Sequence, residues 1–435
     1  MSPLKNSLTD DELCSRVRAL LEKNTHEGYS ELLNAHYCYV QPSPKKYPFQ
    51  WFWDTCFHVF MFCALKDYEL AKRDLRSLFA MQEQSGFVGH MIFWKSVFPT
   101  SMFDILQSRF RLGRLRPHMS ALIQPTFVAQ ALERIYDETN DLEFLQEMFP
   151  KVKNYLDWLG KTRDLDGDGL ISIISPFESG MDYKPSFDEV LGFKPGKPNW
   201  RLFAKAAGVD FHNFIRHYNL KRIVRSGKFL VKEVTVNTTY AKDLLALSSL
   251  CAKLGWDAEA QRYKALAERV TKRMMEIMFD EETLAFYDVV SGSNRMLKVL
   301  TPTILFPALL PGIPDGLLQK IMKKHFLSPN EFATPYSIPS VARNEPSFFP
   351  EDSWYLWRGP TWIFTNWFLF HSLLEHDFHE KADEILDATK ALIEKSGFRE
   401  YYDPFTGEGL GEQNFTWSGF VVDMMRIHGN RRHGK

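Results

Sequence analysis

The feature that most constrains this chain is a repeated pairing, in which a helix apolar on nearly every face is followed closely by an amphipathic one. Thr55–Leu65 reads as the first apolar member and Tyr68–Gln82 as its charged mate. The pattern returns at Ile123–Asp137 with Leu142–Leu159, and at Asn237–Leu254 with Asp257–Met278. Leu300–Leu310 with Gly316–His325 is a blurred copy, interrupted by Pro302, Pro307, Pro311 and Pro314, and Thr361–Leu374 pairs clearly with His379–Lys395. Trp417–Ile427 closes the chain. Its mate is the N-terminal helix in LTDDELCSRVRALLEKN, where Thr9 can cap and Asp10, Asp11 and Glu12 suit the first turn.

A helix that is apolar all round has to be buried on all sides. Six pairs meet that demand in an all-α (α/α)6 toroid, with apolar helices as the inner ring and amphipathic helices outside. The connections agree: loops within a pair are short, whereas those leading into the inner helices are long, such as Gly86–Met119 and Arg163–Val236. All the long loops would then emerge on one face. A generic helical array is the alternative, but repeat helices need no such one-sided loops. The toroid makes residues 1–435 one domain, with 176–235 inserted as a cap or loop.

Composition narrows the partners. A net charge of −1 offers no basic field for a nucleic-acid backbone, so neither nucleic acid nor a membrane surface is expected. Five cysteines, an odd number without a CxxC, read as buried thiols in a reducing compartment. The N-terminus lacks the apolar core of a signal peptide and no run of about 18 apolar residues appears, which points to a cytoplasmic location. A homo-oligomer is compatible with this composition. Aromatics make up 14% of the chain, and much of that excess sits in the long loops.

Those loops carry the chemistry. Phe398–Ser418, FREYYDPFTGEGLGEQNFTWS, sets Glu400, Glu408 and Glu412 as candidate general bases among glycines and flat rings that can stack on sugars. YPFQWFWD, Tyr47–Asp54, places Asp54 among Trp51, Phe52 and Trp53, a grouping that suits vicinal hydroxyls, or else simply starts a helix. Gln124 of the IQP at Ile123–Pro125 can reach a pocket on the same face. In the longest loop, Asp182 lies amid Phe177, Tyr183 and Phe187, where desolvation raises a carboxyl towards the range a general acid needs. Glu178 is its rival. Arg358, flanked by Trp354, Tyr355, Trp357 and Trp362, can bind a carboxylate or stack and pair with Glu351 or Asp352.

RDLDGDGL, Arg163–Leu170, matches the first half of a calcium loop through Asp164, Asp166 and Asp168. Position twelve would be Ser175 rather than a bidentate glutamate, so an Asx-rich turn explains it equally. No other metal or cofactor is expected. Lys194–Lys232 is rich in Lys, Arg and His, and reads either as a basic cap favouring an anionic leaving group or as a solvated surface helix.

Taken in order, YPFQWFWD, IQP, DLDGDGL, ESGMD, WRGPTW and EYYDPFTGEGLG…FTWS resemble glycoside hydrolase family 63, and within it the mannosylglycerate and glucosylglycerate hydrolases. The resemblance spans Tyr47 to Met425. It implies an (α/α)6 toroid and inverting hydrolysis of a small α-glucoside or α-mannoside, with Asp182 as general acid and Glu400 as general base. Related trehalases carry a similar glutamate followed shortly by Tyr-Asp, which favours Glu400 over Glu408 and Glu412. Tyr47, Trp51, Trp53, Asp54, Gln124, Tyr355, Trp357, Arg358, Trp362 and Trp417 would hold the sugar. Two other classes remain at this level: a sugar epimerase or isomerase, since α-toroids host those too, and a non-catalytic sugar-binding protein.

Overall fold

The segment FWDTCFHVFMFCAL shows why the chain closes on itself. Apart from Ala64, every residue of this helix is buried. Each large side chain withdrawn from water contributes roughly 1.5–3 kcal/mol, and only a ring of neighbours can collect that on all faces. The computed structural model describes residues 8–94, 102–108, 118–351 and 356–432. Its helices in chain order are α1 (Asp10–Asn24), α2 (Phe52–Leu65), α3 (Tyr68–Ala80), α4 (Met102–Gln107), α5 (Val128–Thr139), α6 (Leu142–Arg163) and α7 (Trp200–Phe214). They continue as α8 (Leu220–Ser226), α9 (Val234–Lys253), α10 (Asp257–Ile277), α11 (Asp315–Ile321), α12 (Ile363–Glu375), α13 (His379–Ser396) and α14 (Val421–Arg432).

The inner ring is a closed cycle of contacts. It runs α2, α5, α9, a 3-10 segment Pro302–Leu309, α12, then a 3-10 turn Thr416–Phe420 leading into α14, and back to α2. Outside it, α3 packs on α2, α6 on α5, α10 on α9, α11 on Pro302–Leu309 and α13 on α12, while α1 packs against α14 and its 3-10 lead. The fold is therefore an (α/α)6 toroid. Residues from Leu13 to Met425 share one continuous buried cluster.

Three departures from the helix reading have physical causes. Pro302 and Pro307 deny the fourth inner element the donors of an α-helix, so it winds as a 3-10 segment. The second inner helix, α5, starts at Val128 rather than near Ile123, because Pro125 disfavours helical backbone at the residue before it. Short antiparallel strands also line the loop face, most clearly Thr25–Ser30 with Ala35–Val40 and Arg399–Tyr402 with Gly409–Gln413. At the N-terminus Thr9 forms a capping box with Glu12, its hydroxyl accepting from the Glu12 N–H at 3.2 Å. Among the described residues no helix is long and apolar enough to cross a membrane.

The segment 194–232 forms α7 and α8. The inward face of α7, Leu202, Ala206, Val209, Asp210 and Asn213, is buried, while Trp200 is 72% exposed on the other side.

Candidate active site

The long loops enclose a cavity of about 180 Å³. Tyr47, Trp51, Trp53, Asp54, Gln124, Trp357, Trp362 and Trp417 line it together with Asp182. Trp357 and Trp362 stack face to face, centroids 4.1 Å apart and planes 4° from parallel, and Trp53 meets Trp417 edge-on at 5.1 Å. The Trp417 indole N–H donates to Asp54 Oδ1 at 2.5 Å. Burial pushes the Asp54 carboxyl up to about 6, against the His58 charge and the Trp417 bond. Gln124 is fixed by accepting the Trp53 backbone N–H at 3.2 Å.

Asp182 stands at the end of a stapled loop. A 3-10 turn, Pro176–Ser179, ends at Gly180 with φ +69°, where any Cβ would lie 2.2 Å from the Trp53 ring. Only glycine lets the backbone pass there. Beyond Asp182, the buried Lys184 ammonium is gripped by Glu233 and, at 2.8 Å, by Asp288. Asp188 then takes both arms of Arg358, one at 2.9 Å. Asp182 itself is half-buried, and among the described residues no donor is bonded to its carboxyl. Withdrawal from water pushes it up to about 7, opposed by the Lys46 charge and reinforced by that of Glu400.

Glu400 is held in the opposite way. It sits where the pairing of Arg399–Tyr402 with Gly409–Gln413 slips its register, an irregularity of the kind that re-aims a side chain. Its Oε1 accepts from the Tyr47 hydroxyl at 2.7 Å and from Lys46 Nζ at 3.1 Å, and its Oε2 from the Glu412 backbone N–H at 2.9 Å. Gly411, with φ +63°, makes room, since a Cβ there would lie 2.6 Å from Oε2. Glu408 is exposed on the hairpin, and Glu412 contributes its backbone to Glu400.

Several residues singled out in the sequence are not among the described residues that line the cavity. Arg358 is not among the described lining residues: it is fully buried and its two terminal nitrogens pair with Asp188 rather than with Glu351. Tyr355, like Trp354 and Asp352, lies outside the described residues. Glu178 is spent on structure, accepting from Arg163 at 2.5 and 2.8 Å and from the N–H groups of Ile123 and Ile174. Asp164, Asp166 and Asp168 form no metal cluster among the described residues. Lys232 places its ammonium 2.6 Å from both Asp166 and Asp168, and Asp164 accepts from the Gly169 N–H, as an Asx-rich turn requires.

Other residues reach the cavity without a sequence signal of their own. Asp104 and Gln107, one turn apart on α4, line it, and Gln107 is bonded at 2.8 Å to Asp210 of α7. The segment 194–232 thus touches the site through a buried carboxyl, while none of its Lys or Arg side chains is among the described lining residues. His90 also lines the cavity, but burial pushes its ring down to about 3, so it is neutral. A larger cavity of about 310 Å³ opens between α5, α9 and α12, away from the loop carboxylates, and there Glu133 is paired with Lys253 and Glu375 faces Lys242.

The comparisons with known proteins agree with this architecture. A family model described as the mannosylglycerate hydrolase MGH1-like glycoside hydrolase domain matches residues 47–418. The mannosylglycerate hydrolase of Rubrobacter radiotolerans is 28% identical over 414 residues, 88% of this chain and 92% of that one. The glucosylglycerate hydrolase of Mycolicibacterium hassiacum is 24% identical over 466 residues, 97% and 99% of the two chains. A crystal structure of the GH63 mannosylglycerate hydrolase from Thermus thermophilus in complex with Tris superposes with a TM-score of 0.81 at 25% identity, covering 95% of this chain and 99% of that one. The same enzyme in complex with Tris and D-glycerate gives 0.79 over the same shares, also at 25% identity.

Proposed function

Because the chain belongs to the mannosylglycerate hydrolase MGH1-like glycoside hydrolase family, we propose that Asp182 and Glu400 are its general acid and general base. It is a glycoside hydrolase of an inverting family, acting on small glycosides of the mannosylglycerate and glucosylglycerate kind. The observation that carries the assignment is the contrast between the two carboxyls. Asp182 is partly withdrawn from water and has no bonded donor among the described residues, which favours the protonated form an acid must start from. Glu400, by contrast, has its two carboxylate oxygens fixed in place by three donating groups.

In the proposed reaction the sugar lies between the tryptophan walls, with Asp54 and Gln124 at its hydroxyls. Asp182 delivers its proton to the glycosidic oxygen as the bond to the anomeric carbon breaks. Glu400 takes a proton from a water that attacks the opposite face. Inversion needs the two carboxyls about 6.5–9.5 Å apart, which leaves room for that water. The substrate is a small α-glucoside or α-mannoside, with glucosylglycerate and mannosylglycerate first in line. The isomerase alternative calls for proton-shuttling histidines, and His90 is neutral and is bonded to Ser120 at 2.6 Å.

The test is turnover of glucosylglycerate and mannosylglycerate by the wild type, Asp182→Asn and Glu400→Gln, with circular dichroism on each. Loss of at least about a hundredfold in kcat for both variants, without unfolding, is expected. Near-normal turnover by either variant would remove that residue from the mechanism.

A further inference from the structure

The Glu400 carboxylate has a partner that the acid-base reading does not use. Lys46 immediately precedes Tyr47, and its Nζ lies 3.1 Å from Glu400 Oε1 and 3.4 Å from Oε2, straddling both oxygens. It also sits 5.0 Å from the centroid of the Tyr47 ring, whose hydroxyl donates to the same Oε1. Lys46 and Tyr47 therefore hold one carboxylate oxygen from two sides, while the Glu412 N–H holds the other. The Lys46 side chain is 43% exposed, whereas that of Glu400 is wholly buried. A buried carboxylate needs a compensating charge, and this surface lysine supplies it from the rim.

We infer that Lys46 is a positioning residue: it holds Glu400 aimed through its carboxylate oxygens, and its charge couples the two carboxyls of the site. The inference rests on the assignment of Asp182 and Glu400 given above. The other groups facing Glu400 do not substitute for it. Tyr47 and Tyr401 are neutral phenols near neutral pH, Asp182 and Glu412 are acids, and Arg399 on the same strand turns its guanidinium to the Gly411 carbonyl at 3.2 Å. Among the described residues Lys46 is also the cation acting on Asp182, where its field opposes the effect of burial.

One ammonium paired with Glu400, whose charge also reaches Asp182, has a consequence that a purely structural lysine lacks. A positive neighbour favours the ionised form of both groups. Removing it makes Glu400 easier to protonate, so the acid limb of the pH–rate profile moves up. Removal also makes Asp182 harder to deprotonate, so the alkaline limb moves up as well. The whole bell shifts to higher pH rather than narrowing or merely sinking. An opposite charge at this range moves a carboxyl by on the order of one pH unit when half its field is screened by water.

The experiment compares wild type, Lys46→Met and Lys46→Arg in kcat and kcat/KM against pH, on whichever of mannosylglycerate and glucosylglycerate the wild type turns over. Lys46→Met should move both limbs up by about one pH unit, and Lys46→Arg should restore the wild-type profile. A Lys46→Met enzyme with reduced kcat and unmoved limbs would overturn the inference. A second readout needs no turnover: the titration of the Glu400 carboxylate carbon in glutamate-labelled protein, followed by carbon NMR and assigned with Glu400→Gln. That titration should also rise by about one unit in Lys46→Met, and an unchanged curve would equally overturn it. If Asp182→Asn or Glu400→Gln kept its activity, the acid-base assignment would fall, while the titration would still decide whether Lys46 governs Glu400.

Discussion

Replacing the acid should make the protein more stable, and the gain should depend on pH. Asp182 goes from an ordinary carboxyl value of 3.8 to about 7 because the fold withdraws it from water. The native state therefore holds a proton that the unfolded chain has released. Stability falls with pH wherever the native state binds more protons, so wild type loses stability from about pH 4 to about pH 7 on account of this group and is flat above. At about 1.36 kcal/mol per pH unit, the full gap is on the order of 4 kcal/mol. Asp182 is half-buried and open to the cavity, so hydration of its ionised form reduces this to about 1–2 kcal/mol. Asp182→Asn carries no charge in either state and escapes the cost. Urea denaturation of both proteins at pH 4, 5.5, 7 and 8.5 should show the mutant's advantage growing to about 1–2 kcal/mol by pH 7 and then levelling. An advantage that is constant across the range, or absent at pH 8.5, would refute the dehydration argument for Asp182.

Three further outcomes follow from particular contacts. Arg358→Met strands the buried Asp188 carboxylate and should cost about 3–5 kcal/mol in urea denaturation, with Arg358→Met/Asp188→Leu recovering much of it; a single mutant within about 1 kcal/mol of wild type would remove the pair from the scaffold. Gly411→Ala drives a methyl towards Glu400 Oε2 at 2.6 Å and strains a φ of +63°, so kcat should drop at least tenfold with KM little changed, which steady-state kinetics would read. Asp423 keeps a carboxyl down at about 2 despite burial, through Arg134, His371 and Trp367. A depressed carboxyl stabilises above its unfolded value and loses that contribution as pH falls towards 2, so Asp423→Asn should destabilise by about 2 kcal/mol at pH 7 and far less at pH 2.5 in the same denaturation assay.

Much of this was legible in the sequence, for reasons that also mark the limits. Helices such as Phe52–Leu65 and Asp257–Ile277 announce themselves because burial on all faces or on one stripe leaves a local pattern. The aromatic loops were legible because Trp51, Trp53 and Trp417 are rare, large residues that loops do not need for packing alone. What failed was pairing across distance. Arg358 finds Asp188, 170 residues away, instead of the acids beside it in the chain. The DLDGDG loop looks ready for a cation, and its cation is Lys232, 64 residues beyond Asp168. Lys46 gave no signal, since an exposed lysine in a proline-rich loop is ordinary until Glu400 is brought to it. Gln107 and Asp104 sit in a short helix with no motif, and only the closure of the ring carries them to the cavity.

The most direct test of the central claim is proton NMR of the first sugar released. Wild-type protein with mannosylglycerate or glucosylglycerate should give the β-anomer before mutarotation, and Asp182→Asn and Glu400→Gln should give no release on the same timescale. The α-anomer appearing first, or undiminished release by either variant, would contradict an inverting mechanism run by these two carboxyls.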